Sequence, residues 1–239
     1  MSDTIVDISL LNLAIAFIPI IVVFVILYKW HMNYGNAIYA SVRMVTQLLI
    51  VGYLLVFIFT IKNSWIVLGI LMVMVLASSW IALGVMKKHQ TQLFGVTLLA
   101  IVIGGGVNLI IVTQAVLMLE PWYEPRYMIP LAGMIFANAM NSVSLAVERL
   151  DSELNSGLSY REAREIAFQA SLIPTINSLF AVGLVSLPGM MTGQILSGVS
   201  PLVAVRYQIV VMCMVFSSAG ITSAIFLVMS KKYFGKEQA

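Results

Sequence analysis

The sequence predicts an all-α, polytopic integral membrane protein, with about seven transmembrane helices and one short amphipathic cytoplasmic helix. Of the 239 residues, 61% are hydrophobic and only 10% are charged. The mean hydropathy of +1.01 lies well above the range of soluble globular proteins. Apolar runs of about twenty residues, long enough to cross the hydrocarbon of a bilayer, recur along the whole chain. A single transmembrane domain over residues 1–239 is therefore expected.

We predict the transmembrane spans from the apolar windows that lie between clusters of charged residues. Seven spans are expected, at residues 8–28, 37–59, 65–86, 93–119, 127–147, 176–199 and 205–229. The first run follows an acidic N-terminus without Lys or Arg, so we expect a retained span and not a cleaved signal. Pro188 and Gly189 interrupt the sixth window, and a straight helix is not expected there.

Lys and Arg are concentrated on one side of these spans, which predicts their orientation. One set of alternate loops holds Lys29, Lys87, Lys88, Arg149, Arg161, Arg164, Lys231, Lys232 and Lys236. The other set holds only Lys62, Arg126 and Arg206. Cytoplasmic loops retain positive charge. A multi-pass protein of the cell (inner) membrane is predicted, with its N-terminus outside and its C-terminus in the cytoplasm.

The loop at residues 148–175 is the only polar segment long enough to form structure outside the membrane. The fifth helix is expected to project into the cytoplasm and to stop at residues 155–157, where Gly157 can form a left-handed cap. A second helix is predicted over 159–170. Ser159 caps it, Glu162 completes a capping box, and Pro174 ends it.

This second helix is amphipathic and needs a surface to lie on. Its apolar side resembles both that of helices resting on lipid headgroups and that of helices docked to a protein. The mixed signs of charge on its polar side favour a protein partner. The candidate docking residues are Ser159, Arg161, Glu162, Ala163, Arg164, Ile166 and Ala167.

Polar and small residues inside the spans mark interior faces. Hydrogen bonding between helices and, for Arg43, reaching the interface are alternatives to contact with a transported substrate. Met190 and Met191 carry thioethers that can bind a soft metal, although filling of a core is the alternative. The candidates for the translocation pathway or for interior packing are Arg43, Gln47, Asn138, Asn141, Ser142, Pro188, Gly189, Met190, Met191, Gly193 and Gln194.

Several protein classes are disfavoured by what the spans lack. No Asp, Glu, His or Lys lies deep in any predicted span, which disfavours a proton-coupled pump and a retinal protein. No G-x-x-x-x-G-K-[ST] loop occurs, so the chain has no motif that cradles nucleotide phosphates. We therefore expect no enzyme activity and no cofactor on this chain, and any ATP hydrolysis would take place on a partner chain.

Three stretches resemble a known family: SVRMVTQLLIVGYLL at 41–55, IPLAGMIFANAMNS at 129–142 and IPTINSLFAVGLVSLPGMMTGQILSGVSPLVAVRYQIVVM at 173–212. They are similar to the ABC-transporter permeases that include bacterial iron exporters and plant aluminium-sensitivity half-transporters. The resemblance implies a homodimer of permeases with two copies of a separate ATPase that binds ATP and Mg. It carries over Arg43, Gln47, Gly52, Pro130, Gly133, Asn138, Met140, Pro188, Gly189, Met190, Met191, Gly193, Pro201, Tyr207 and Gln208.

Taken together, the sequence predicts the permease subunit of an ABC transporter that exports iron or another metal, with a coupling helix in loop 148–175. Nucleotide-sugar export by the same architecture is one alternative. Others are an ATP-independent channel or facilitator and a membrane scaffold that recruits a signalling protein. The substrate and the direction of transport are not fixed by the residues.

Overall fold

The computed structural model describes residues 8–60, 63–86 and 89–234, and the regular structure within these ranges is helical. Six helices in them are long and apolar enough to cross a membrane: Leu10–Lys29, Tyr34–Ile58, Ser64–Ala82, Gln90–Val116, Pro125–Asn155 and Pro201–Phe234. The prediction of an all-α polytopic membrane protein is confirmed. The N-terminal segment 1–7 and the charges of Lys62, Lys87, Lys88 and Lys236, which entered the orientation prediction, lie outside the described residues.

Residues 1–62 form one compact unit, which contains α1 (Leu10–Ile15), α2 (Ile18–Lys29) and α3 (Tyr34–Ile58). Asn33 caps α3 because its side chain accepts a hydrogen bond from the Asn36 backbone N–H at 3.3 Å. No described residue of these three helices is buried. Many of its apolar side chains are exposed, as they are in helices surrounded by lipid or by other helices.

Residues 63–239 form the second unit. Its elements are α4 (Ser64–Ala82), α5 (Gln90–Ile101), a π-helical segment (Val102–Gly106), α6 (Val107–Ile110), a second π-helical segment (Ile111–Val116), α7 (Pro125–Asn155), α8 (Tyr160–Ala181), α9 (Gly189–Leu196), α10 (Pro201–Met229) and α11 (Lys231–Phe234). The helical stretch from Gln90 to Val116 counts as one crossing.

Two hydrophobic clusters, stacked along α7, hold the second unit together. The first cluster joins Val147 of α7 to Phe226 of α10. The second joins Ile135 of α7 to Met214 of α10. Along the chain, α7 and α10 both pass from the second cluster to the first, so they run parallel. Inside a bilayer such packing stabilises through van der Waals contact, since lipid is as apolar as the side chains.

The directions of the neighbouring helices follow from their places in the same two clusters. α4 runs parallel to α7, because Val67 lies in the second cluster and Ala82 in the first. The crossing from Gln90 to Val116 runs the opposite way, from Leu93 in the first cluster to Leu109 in the second.

The chain returns between α7 and α10 through α8, and the predicted sixth span at 176–199 is wrong. α8 begins beside the end of α10, where the Tyr160 hydroxyl donates to the Leu227 carbonyl. Its far end reaches the start of α10, since Leu179 and Val205 line one cavity. α8 is therefore antiparallel to α10, and its 22 residues extend about 33 Å, close to the thickness of a bilayer's hydrocarbon. The charged residues in its first half explain why a hydropathy window misses it.

Pro174 lies inside α8 and does not end it, contrary to the sequence prediction. A proline removes the N–H that would bond to the carbonyl four residues earlier, here that of Ala170. One residue further along α8, the hydroxyl of Ser142 on α7 lies 3.2 Å from the Ser171 carbonyl. Prolines inside membrane helices are tolerated where adjacent helices and hydroxyl side chains satisfy the disturbed backbone.

The predicted end of the fifth helix and the predicted start of the amphipathic helix are confirmed. α7 ends at Asn155, and Gly157 has a φ of +89°, a left-handed conformation that only glycine adopts without strain. Ser159 and Glu162 form the predicted capping box at the start of α8.

Gly104 allows the first π-helical segment to approach α10 closely. A Cβ added at Gly104 would lie 2.8 Å from the backbone nitrogen of Thr222 and closer still to its hydroxyl. Gly106 lies two residues further along the same run of glycines, and a Cβ added there would meet no described atom within 4 Å. Close approach of backbones through small residues is the usual basis of tight helix packing in membranes.

We predict that Gly104→Ala destabilises the protein by about 1–3 kcal/mol, because the added methyl separates two packed helices. Thermal unfolding of the purified full chain in lipid nanodiscs measures the effect. Gly106→Ala is the matched control and should be neutral or slightly stabilising, since alanine favours the helix. Equal destabilisation by both substitutions would contradict the assigned contact.

Candidate functional site

The apolar side of the predicted amphipathic helix is covered by the chain itself. Ala163 and Ala167 are fully buried in the first cluster, against side chains such as Val147 and Phe226. Neither residue is therefore available to a partner or to lipid, which corrects their place among the docking candidates. The periodicity of the helix was predicted correctly, but the surface that covers its apolar side is formed by α7 and α10.

The polar side of the same helix remains open. We define the charged corner as Arg161, Glu162 and Glu165, all exposed at the start of α8. Arg161 and Glu165 form an ion pair at 3.5 Å, with side chains 85% and 59% exposed, so the pair adds little to stability. Of the remaining docking candidates, Ser159 is exposed, and Arg164 and Ile166 are partly buried. Docking itself stays a prediction.

The capping box also sets the charge state of this corner. The Ser159 hydroxyl donates to the Glu162 carboxylate at 2.7 Å, and the Ser159 backbone N–H donates at 3.2 Å. These two hydrogen bonds hold the pKa of Glu162 below its ordinary value. Because the folded-state pKa is lowered, the contribution of the cap is present at neutral pH and is lost as the pH falls through that pKa.

Ser142 joins three helices at the centre of the second unit. It is 3% exposed, and its hydroxyl lies 2.6 Å from that of Ser223 and 3.2 Å from the carbonyls of Ser171 and Ala219. Hydrogen bonds of this kind between membrane helices contribute on the order of 1 kcal/mol. Ser142 therefore serves interior packing of α7, α8 and α10.

The other polar candidates from the second and fifth predicted spans lie on α3 and on α7. Asn138 donates to the Met134 carbonyl of its own helix at 2.8 Å, and Asn141 is exposed. Arg43 and Gln47 are both exposed on α3 in the first unit. Within each helix these residues share a face, as their spacing predicted.

Asn108 is a buried polar residue that the sequence analysis missed. It is 8% exposed and donates to the Met214 carbonyl at 2.8 Å and to the Ser217 hydroxyl at 2.6 Å. These bonds tie the crossing from Gln90 to Val116 to α10. The available signal was an amide two residues after three consecutive glycines in an apolar run, the pattern of a close, hydrogen-bonded helix contact.

The chain breaks where Pro188 and Gly189 predicted a break. Pro188 is the N-cap residue of α9, and residues 182–188 between α8 and α9 are not helical. The two methionines that follow separate: Met190 packs against the second cluster, whereas Met191 lines a cavity. Of the remaining candidates here, Gly193 faces no described atom within 4 Å, and the Gln194 Oε1 atom is buried with no partner among the described residues.

The cavity beside Met191 has a volume of about 390 Å³ and lies between the end of α8, the break, α9 and α10. Its wall is apolar except for Gln208, which is only 5% exposed. Neither amide atom of Gln208 has a hydrogen-bond partner within the described ranges. A buried amide left without partners costs about 1–3 kcal/mol.

The described residues do not assemble a site for a hard metal ion. No three His, Cys, Asp or Glu side chains come together in the part of the chain that the structure describes. Sulfur is nevertheless concentrated at the cavity, where Met191, Met212 and Cys213 contribute to the wall. A metal at this place would meet thioethers, a thiol and an amide, which are soft or neutral ligands.

The fold and these sites define a multi-pass α-helical membrane protein with one broken helix pair and one charged corner. The family described as Uncharacterised protein family (UPF0014) matches residues 10–234. The chain belongs to this family.

Relatives of the chain come from bacteria and plants. It is 36% identical over 220 residues to the UPF0014 membrane protein slr1647 of Synechocystis, covering 85% of each chain. It is 34% identical over 248 residues to the Probable iron export permease protein FetB of Escherichia coli, covering 95% of this chain and 93% of FetB. It is 33% identical over 227 residues to Protein ALUMINUM SENSITIVE 3 of Arabidopsis thaliana, covering 88% and 81%. No solved structure matches the chain.

Proposed function

We propose that the chain is the permease subunit of an ABC transporter that exports a metal ion, assembled as a homodimer with two copies of a separate ATPase. One observation carries this proposal: similarity over 95% of the chain to a relative named as an iron export permease. The polytopic helical fold and the lack of a phosphate-binding loop are consistent with a membrane subunit driven by another chain. ATP and Mg would bind to that partner.

The protein is proposed to lie in the inner membrane, with its charged corner in the cytoplasm. Arg161 and Arg149 lie at the end of the second unit that also holds Lys231 and Lys232, which supports retention of this end inside. Arg126 begins α7 at the opposite end.

The proposed orientation predicts which end of the second unit a reagent can reach from outside the cell. In a Cys213→Ser background, Arg161→Cys should react with a membrane-impermeant maleimide only after the cells are opened. Arg126→Cys should react in intact cells. The reverse pattern would invert the orientation and remove the ATPase from the charged corner.

The charged corner is the proposed docking surface for the ATPase. The double variant Arg161→Glu/Glu165→Lys exchanges the two charges of the exposed ion pair. It keeps the spacing of the pair and reverses the order of charges on the surface that a partner would contact. We expect the fold to remain stable, because such pairs contribute about 0–1 kcal/mol, and the complex to be lost.

Co-expression of a candidate nucleotide-binding subunit from the same genome, followed by purification through a tag on this chain, measures the complex. Arg126→Glu, at the other end of α7, is the control and should retain a stoichiometric ATPase. Full retention by the charge-exchanged variant would remove the docking role from this corner. Ala163→Asp is unsuitable for this test, because it places a charge in the first cluster.

Transport itself is tested with the permease and ATPase reconstituted together in liposomes. We expect Fe²⁺ or another metal ion to stimulate ATP hydrolysis and to move in one direction, with loss of both effects when the ATPase is omitted. Stimulation by sugar nucleotides alone would favour their export instead. Flux that persists without the ATPase would identify a facilitator and would contradict the proposed ATP-driven mechanism.

A further inference from the structure

A groove of about 210 Å³ lies between the first half of α8 and the last turns of α10. We call it the interfacial groove, and its wall consists of Arg164, Glu165, Phe168, Ala224, Leu227 and Val228. The Tyr160 hydroxyl, one turn earlier on α8, donates to the Leu227 carbonyl and so fixes the two helices against each other at this point. The interfacial groove is therefore a built feature of the second unit, next to the charged corner.

Arg164 supplies a positive charge to this groove that the chain neutralises only in part. Its side chain is 39% exposed, and its ion pair within the described ranges is with Glu165, at 4.0 Å. The same carboxylate oxygen of Glu165 lies closer, at 3.5 Å, to Arg161. Glu162, the other acid of this turn, accepts hydrogen bonds from Ser159. Two guanidinium groups thus share one carboxylate oxygen, which leaves positive charge at Arg164.

The rest of the wall is apolar and runs from the membrane surface toward the bilayer centre. Lys231 and Lys232, exposed just beyond α10, mark the surface end. Val228 lies next to that end and is 62% exposed, whereas Ala224 and Phe168 line the deeper part of the groove. The wall therefore offers a hydrocarbon chain a place to lie, with a cationic group at the end nearer to the water.

These two parts together select the class of ligand. A guanidinium group pairs with phosphate through parallel N–H···O bonds, so the charge favours a phosphate ester. A soluble phosphate would leave the apolar wall without contact, and an uncharged lipid would leave Arg164 without a counter-ion. Basic pockets between membrane helices on the cytoplasmic side are typical sites for the headgroups of anionic lipids.

We propose that the interfacial groove binds one anionic phospholipid, such as phosphatidylglycerol. Its phosphate pairs with Arg164, and one acyl chain lies along Phe168 and Ala224. The two lysines beyond α10 add attraction for a headgroup with net negative charge, which distinguishes this lipid from zwitterionic phosphatidylcholine. The site goes beyond the proposed metal export, and binding requires neither the ATPase nor transport.

The test uses the full chain in nanodiscs of phosphatidylcholine that contain a trace of a photoactivatable lipid. One probe is phosphatidylglycerol with a diazirine in its acyl chain, and the other is phosphatidylcholine with the same chain. After illumination, mass spectrometry maps the labelled peptides. We expect the phosphatidylglycerol probe to label Phe168 and residues 224–228 about fivefold more than the other probe, the factor typical of one basic side chain near a membrane surface.

Variants separate the contact with Arg164 from the general charge of this end. Arg164→Gln should reduce labelling by phosphatidylglycerol to the level of phosphatidylcholine, and Arg164→Lys, which keeps the charge, should retain the preference. Arg149→Gln is the matched control. It removes one positive charge from the same end, at a side chain that is 47% exposed and paired with Glu153, and should label like the wild type.

Competition on the wild type decides the question if Arg164→Gln does not fold. Unlabelled phosphatidylglycerol should displace the probe, and glycerol 3-phosphate in solution should not.

Three results would overturn the proposal. Equal labelling by both probes would show a groove filled by any lipid. Equal loss of labelling in Arg149→Gln and Arg164→Gln would show attraction to surface charge without a defined site. Displacement by glycerol 3-phosphate would identify a site for a soluble anion. Failure of ATPase binding or of metal transport would leave the labelling pattern unchanged, so the two proposals stand or fall separately.

Discussion

The parallel packing of α7 and α10 is the constraint on which the rest of the second unit depends. Both helices contribute to both clusters, and α7 contacts α4, α5 and α8 as well. Two parallel helices that are close in sequence require the chain to cross back between them. α8 makes that crossing although it carries charges in its first half, and its small residues Ala163 and Ala167 let it pack tightly enough to do so.

The features that the sequence predicted are those set by local chemistry. The capping box at Ser159, the left-handed cap at Gly157 and the break at Pro188 depend on residues within one helical turn of each other. The long apolar spans depend on hydropathy alone, and six of them are present in the described chain. For the same reason the spacing of Ala163 and Ala167 predicted an apolar face but did not indicate what covers it.

The features that were missed depend on contacts between distant segments. Pro174 stays within α8, and the Ser142 hydroxyl of a different helix lies 3.2 Å from the carbonyl of Ser171, three residues before it. Asn108 is bonded to α10, more than one hundred residues away in sequence. Gln208 was carried over only as a motif residue, and its burial without a partner follows from how the break places α9 against α10. Periodicity and hydropathy contain no information on such pairings.

α8 runs from the charged corner to the cavity beside Met191. Its first two turns carry the charged corner, and its last turn supplies Leu179 to the wall of the cavity. An ATPase that moved the corner would shift a helix of about 33 Å that is held near its middle by Ser142 and weakened there by Pro174. Motion at the far end would change the cavity before it changed the α7 and α10 pair, because both clusters hold that pair along its length. The broken segment is thus the part of the second unit that such a motor would displace first.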